Sequence, residues 1–214
     1  MDKRQVVERV RELGLVPVIR AQSPDEASRA IEAIQAGGVD VIEITMTVPG
    51  AVPLITEIAS RFPHAVVGAG TVLDSETARA CILAGARFVV SPALDLGTIE
   101  CCRRYGIAVL PGALTPTEVL RAWQAGADIV KVFPAGALGG ASYIKALKAP
   151  FPQIELIPTG GVSVDTAAAF IQAGAAALGV GADLVDLKAL RDGKADLLTE
   201  RARRYVEIVK TARS

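Results

Sequence analysis

The sequence predicts an α/β chain folded as a (β/α)8 TIM barrel with an additional N-terminal helix. Three observations carry this expectation. A strand-loop-helix unit repeats along the chain, with apolar segments at 15–19, 39–44, 65–69, 87–90, 107–110, 129–133, 154–157 and 176–180. These segments are apolar on both faces, as strands of a parallel sheet covered by helices must be. Eight parallel units most often close into a barrel, and this length sits at the small end for that fold. The rival, an open doubly wound sheet, lacks its signature. No Gly-x-Gly-x-x-Gly follows the first strand, where Val18-Ile19-Arg20-Ala21-Gln22 stands instead.

Taken in order, the chain begins with Met1-Asp2-Lys3-Arg4-Gln5, which lacks an apolar h-region and is not read as a signal peptide. Val6, Val7, Val10 and Leu13 then recur at helical spacing among charges, and Gly14 ends that helix. Later helices open on caps: Ser23-Pro24-Asp25-Glu26, Asp74-Ser75-Glu76, Thr115-Pro116-Thr117-Glu118 and Ser163-Val164-Asp165. Several close on one punctuation, Ala36-Gly37-Gly38, Ala84-Gly85-Ala86, Ala125-Gly126-Ala127 and Ala173-Gly174-Ala175, in which glycine supplies a left-handed turn into the next strand. A last helix is expected at about 187–210. No linker or shift in composition divides the chain, so residues 1–214 are read as one domain.

Half of the residues are hydrophobic and only 4% aromatic, which calls for a core of Val, Ile, Leu and Ala. The formal net charge is zero and no basic stripe exists, so nothing supports nucleic-acid binding. The most apolar window, 166–185, is broken by Gln172, glycines and Asp183, which excludes a membrane span. Cys81, Cys101 and Cys102 are odd in number and two are adjacent; a disulfide framework is excluded and a reducing cytoplasm expected. His64, the one histidine, sits beside Pro63 and is read as a surface loop residue. A single histidine leaves no basis for a His-rich metal site. No metal or cofactor is expected.

The chemistry is expected at the C-terminal ends of the strands. In the sixth strand, Ile129, Lys131 and Phe133 share one face while Val130 and Val132 share the other. A lysine held among apolar groups loses charge; moving it from about 10.4 to near neutrality corresponds to 4–5 kcal/mol. A neutral amine is a nucleophile towards carbonyl carbon. The alternative is a stem packed in the strand with its head reaching water. Glu43, in Val41-Ile42-Glu43-Ile44-Thr45, faces inward by the same alternation, and a buried carboxylate needs a partner. Lys131 is the natural one, with Glu43 as general acid and base or, alternatively, as half of a structural ion bridge. Gly160-Gly161 is expected to open the helix after the seventh strand, and Gly179-Val180-Gly181 ends the eighth. Bare amides at these places suit an anion, and tight turns would need glycine as well.

Together, Glu43-Ile44-Thr45, Val67-Gly68-Ala69-Gly70-Thr71-Val72, Ser91-Pro92, Lys131-Val132-Phe133-Pro134-Ala135 and Pro158-Thr159-Gly160-Gly161-Val162 resemble the 2-keto-3-deoxy-6-phosphogluconate (KDPG) / 4-hydroxy-2-oxoglutarate (KHG) aldolases. The likeness covers nearly the whole chain. It implies a class I aldolase on a (β/α)8 barrel, usually a homotrimer, acting on a small 2-keto acid. Lys131 would form the imine and Glu43 would move protons. Thr71 and Thr159 would contact the keto acid, Phe133 would wall the pocket, and Pro92 joins the substrate-binding positions. Two departures stand out. Many members carry arginine where this chain has Thr47, and Arg20 is the replacement cation expected to bind the carboxylate. The serine often found as a phosphate ligand is Ala182, leaving the amides of Gly160, Gly161 and Gly181 for that end of the substrate. The sequence implies cleavage of 2-keto-3-deoxy-6-phosphogluconate, and of 4-hydroxy-2-oxoglutarate, with pyruvate as a common product. Its alternatives are an aldolase for a related sugar acid such as the galactonate epimer, a sugar-phosphate isomerase or epimerase barrel, and an inactive barrel that binds a keto acid.

Overall fold

In the computed structural model, which describes residues 1–214, parallel strands and helices alternate as expected. Strands β1 (Leu15–Ile19), β2 (Val41–Thr45), β3 (Val66–Gly70), β4 (Phe88–Val90), β5 (Ala108–Leu110) and β9 (Leu178–Val180) form one six-stranded sheet ordered β5-β4-β3-β2-β1-β9. All pairs are parallel, and the sheet curls into a half-barrel. A second parallel sheet joins β6 (Gly112–Ala113), β7 (Val130–Val132) and β8 (Leu156–Pro158) in that order. One isolated parallel bridge, Thr159 with Gly179, connects β8's end to β9.

The strand expected at 107–110 is β5, and a further short strand, β6, follows beyond Pro111, which has no N–H to give to a neighbour. Beyond it, the Gly112 amide donates to Ser91 Oγ at 3.3 Å, while the Lys131 amide donates to the Pro111 carbonyl at 2.9 Å. The ladder therefore changes partner at that proline.

The helices are α1 (Lys3–Leu13), α2 (Pro24–Ala36), α3 (Ala51–Arg61), α4 (Ser75–Leu83), α5 (Leu96–Arg104), α6 (Pro116–Ala125), α7 (Ala141–Lys148), α8 (Ala167–Gln172), α9 (Leu187–Arg191) and α10 (Ala195–Arg213). The Ser23, Asp74 and Thr115 side chains cap α2, α4 and α6 as expected. The single last helix expected at about 187–210 is two, because Asp192 and Gly193 (φ 74°) break it. None is long and apolar enough to cross a membrane.

Helix α1 buries Val6, Val7, Val10 and Leu13, and its polar face grips the starts of three strands. Lys3 pairs with Asp128 at 2.9 Å, Arg9 with Asp40 at 2.9 Å and Arg11 with Glu155 at 2.8 Å. Those residues precede β7, β2 and β8, so α1 spans the N-terminal ends of both sheets. Each exposed pair is worth less than about 1 kcal/mol; the apolar stripe is the main attachment.

The core is one cluster of 65 buried residues. Inside the curl, Val18, Glu43, Gly68, Phe88 and Ala108 lie in register across β1 to β5. Gly68 is matched to Phe88: a Cβ at Gly68 would lie 2.4 Å from the ring. Gly68→Ala is expected to destabilise the protein by about 2 kcal/mol in urea unfolding, since an overpacked core must shift. Adding Phe88→Leu should recover part of the loss; no recovery would contradict the steric account.

Candidate active site

Glu43 occupies the middle of β2, flanked by outward-facing Ile42 and Ile44, both fully buried. Room for its carboxyl comes from Gly70 on β3, where a Cβ would lie 2.0 Å from Glu43 Oε1. Lys131 occupies the middle of β7, in register with Gly112 and Ile157. Both side chains are only 3% exposed, and Lys131 Nζ stands 3.9 Å from Glu43 Oε1. That is an ion-pair distance beyond hydrogen-bond reach, and Oε1 has no hydrogen-bond partner. Burial pushes the Glu43 carboxyl above the usual carboxylate range, while Lys131 and then Arg20 pull it back. Phe133, two residues on from Lys131, sets its ring centroid 5.5 Å from Nζ.

Beside the pair opens a cavity of about 410 Å³ at the strands' C-terminal ends. Of the predicted positions it takes in Arg20, Phe133, Thr159, Gly160, Gly161, Gly181 and Ala182. The Arg20 side chain is exposed and takes part in none of the chain's ion pairs.

The glycines divide into two kinds. Gly160 (φ 83°) and Gly161 (φ 80°) are in left-handed conformations, and a Cβ at Gly161 would lie 2.8 Å from Gly136 Cα. Backbone geometry alone accounts for both. They do not open a helix as expected: α8 starts only at Ala167, and Ser163-Val164-Asp165 lies in the turn before it instead of capping it. Gly181, by contrast, has no left-handed φ, and a Cβ there would meet nothing within 4 Å. Its missing side chain leaves the cavity open.

Five predicted positions lie outside this cavity's lining: Lys131, Glu43, Thr47, Thr71 and Pro92. Thr47 is exposed after β2, its Oγ1 2.6 Å from Thr45 Oγ1. Thr71, just past β3, is half-buried with φ 57°, a strained conformation for a β-branched residue. Pro92 is half-buried against Gly112, where a Cβ would lie 2.2 Å from its carbonyl carbon. His64 is exposed in the turn before β3, as expected. No three His, Cys, Asp or Glu residues are grouped to hold a metal ion.

Sequence reasoning missed Asp183, which lines the cavity two residues after Gly181. Its signal was a lone charge inside the apolar window 166–185, treated there only as an interruption.

A parallel α/β scaffold with an amine and a carboxyl buried together at its strand ends defines an enzyme of the aldolase class. The chain belongs to the KDPG and KHG aldolase family, whose model matches residues 6–200. It is 35% identical over 193 residues to the KHG/KDPG aldolase of Escherichia coli K12, covering 90% of this chain and 91% of the relative. It is 38% identical over 174 residues to the 2-dehydro-3-deoxy-6-phosphogalactonate aldolase of the same organism, covering 80% and 84%. The Legionella pneumophila KDPG aldolase, solved with pyruvate captured as a covalent carbinolamine, superposes with a TM-score of 0.84 at 28% identity, covering 93% of this chain and 97% of that one. Aldolases are carbon–carbon lyases, and the chain is one of them.

The raised Glu43 pKa carries a sign for stability. Between the ordinary carboxylate range and the raised value, the folded protein keeps a proton that the unfolded chain has released. This group's contribution is therefore full at low pH and lost as pH rises through the raised value. Glu43→Gln, which mimics the protonated form, is expected to match the wild type near about pH 4 and to exceed it in urea midpoint at about pH 8. A variant less stable than wild type at the higher pH would contradict this.

Proposed function

We propose that this chain is a class I, Schiff-base aldolase that cleaves 2-keto-3-deoxy-6-phosphogluconate to pyruvate and glyceraldehyde 3-phosphate, and 4-hydroxy-2-oxoglutarate to pyruvate and glyoxylate. The observation that carries this reading is the Lys131–Glu43 pair, 3.9 Å apart and shut away from solvent. The Lys131 amine adds to C2 of the keto acid, and the carbinolamine loses water to give a protonated imine. Glu43 takes the C4 hydroxyl proton; the C3–C4 bonding pair moves into the imine, and the aldehyde leaves an enamine behind. Glu43 returns the proton to C3, and hydrolysis of the imine frees pyruvate. Burial raises the proton affinity of the Glu43 carboxyl, which suits a group that takes a proton and hands it back.

In this reading Arg20, with no anion of the protein to hold, binds the substrate carboxylate, and Thr71 and Thr159 contact the keto acid. Phe133 walls the site, and Thr47 and Pro92 border it. The amides of Gly160, Gly161, Gly181 and Ala182 face the far end of the substrate. The epimeric 2-keto-3-deoxy-6-phosphogalactonate is the second reading, supported by the higher identity to the relative named for it.

The two sheets are taken as arcs of one (β/α)8 barrel in a single domain. In support, only Pro111 separates β5 from β6, Thr159 bridges to Gly179, and α1 clamps strands of both sheets. A homotrimer is supported by Leu73 and Leu96, 63% and 59% exposed around the starts of α4 and α5. Three buried, unpaired cysteines favour a cytoplasmic setting. Burial raises the Cys81 thiol to about 11 and that of Cys102 to about 12, which leaves both unreactive.

Borohydride with pyruvate should label Lys131 irreversibly, and Lys131→Met should take no label; a labelled Lys131→Met protein would refute the assignment. A lactate-dehydrogenase-coupled assay across both epimers and 4-hydroxy-2-oxoglutarate then ranks the substrates. Arg20→Ala is expected to raise KM for the keto acid about tenfold or more with a smaller change in kcat. An unchanged KM removes Arg20 from the carboxylate site.

A further inference from the structure

Asp183 sits at the cavity's edge beyond Ala182 and has no part in the steps above. Its Oδ2 accepts the backbone N–H of Val164 at 3.3 Å and the hydroxyl of Tyr205 at 2.5 Å. Val164 belongs to the loop after β8, Asp183 to the loop after β9, and Tyr205 to α10. One carboxylate oxygen thus ties both glycine loops of the cavity to the C-terminal helix. No other side-chain hydrogen bond joins the two loops. One helical turn earlier on α10, Arg201 donates to the Asp183 carbonyl at 2.7 Å and to the Asp186 carboxylate at 3.2 Å.

We infer that Asp183, held by Tyr205, is a positioning residue that fixes the two glycine loops around the aldehyde end of the substrate. The inference rests on the aldolase reading above. Apart from Asp183 and the Thr159 hydroxyl just past β8, the polar groups these loops present to the cavity are backbone amides. Such donors bind well only when their loop is held still, and glycine makes a loop easy to deform. The Ala135 and Gly136 amides hold the start of the first loop through the Thr159 and Gly160 carbonyls, and the Asp183–Tyr205 contact ties its far side and the second loop to α10. Tyr205 is fully buried, and burial together with the facing carboxylate pushes its hydroxyl far above the usual tyrosine range, so it remains a donor. The reacting pair, Lys131 and Glu43, is carried on β7 and β2, outside both loops.

Tyr205→Phe removes one hydroxyl and leaves the ring. Expected is a three- to tenfold rise in KM for 2-keto-3-deoxy-6-phosphogluconate, about the worth of one hydrogen bond, with kcat held within about twofold. Exchange of the pyruvate C3 protons in D2O, which uses only the Lys131 end, should stay at the wild-type rate. Asp183→Asn keeps an acceptor oxygen and should hold KM near wild type, whereas Asp183→Ala should follow Tyr205→Phe. An unmoved KM in Tyr205→Phe overturns the inference. So does a fall in proton exchange that parallels cleavage, which would mark a general loss of structure. Equal loss in Asp183→Asn and Asp183→Ala would assign the effect to charge and overturn it too. A wild-type protein that exchanges no pyruvate protons refutes the aldolase reading itself; normal exchange with an unmoved KM refutes this inference alone.

Discussion

The structure is organised around an amine and a carboxyl buried together, Lys131 and Glu43, at 3.9 Å. When both are ionised they attract by about 4 kcal/mol at an effective dielectric of about 20. Removing each ion from water costs several kcal/mol, so the pair does not stabilise the fold by itself. The surrounding residues are fitted to it instead. Gly70 gives up its side chain so that the Glu43 carboxyl can enter, and Gly68 gives up its own to the Phe88 ring beneath. The 65-residue apolar cluster supplies the stability that such a site consumes.

The two ends of the strands are built on different terms. At the N-terminal ends, α1 lays down a continuous apolar stripe and sets Lys3, Arg9 and Arg11 on carboxylates that precede three strands. At the C-terminal ends polar and glycine residues replace that packing: Thr71 is held in a strained conformation, Glu43 Oε1 lacks a partner, and Arg20 has no ion pair. The first two are local costs to folding, and all three lie towards the same end of the strands. That concentration separates the candidate site from the scaffold.

Much of this was legible along the chain, and the failures have physical causes. Alternation in a strand is a two-residue period, so the inward placement of Lys131 and Glu43 followed from their immediate neighbours. Caps at Ser23, Asp74 and Thr115 depend on residues three apart, and they too were readable. Ser163-Val164-Asp165 carries the same local signal but is taken up by a turn, since Thr166 turns its hydroxyl back to the Ser163 amide. The break at Asp192-Gly193 was hidden because charged residues continue a helical pattern across it. Asp183 was passed over because its partners, Val164 and Tyr205, lie 19 and 22 residues away.

By itself the sequence determined which segments are strands and helices, which faces are apolar, and that an amine and an acid point inward. Periodicity and capping act over a few residues, and the chain records them directly. Only the tertiary structure decided which glycines serve the backbone and which leave open space in the cavity. It also set the distance between amine and carboxyl, and the carboxylate that links two loops to a distant helix. Those outcomes depend on where segments far apart in the chain come to rest against one another, a result of packing that no local pattern encodes.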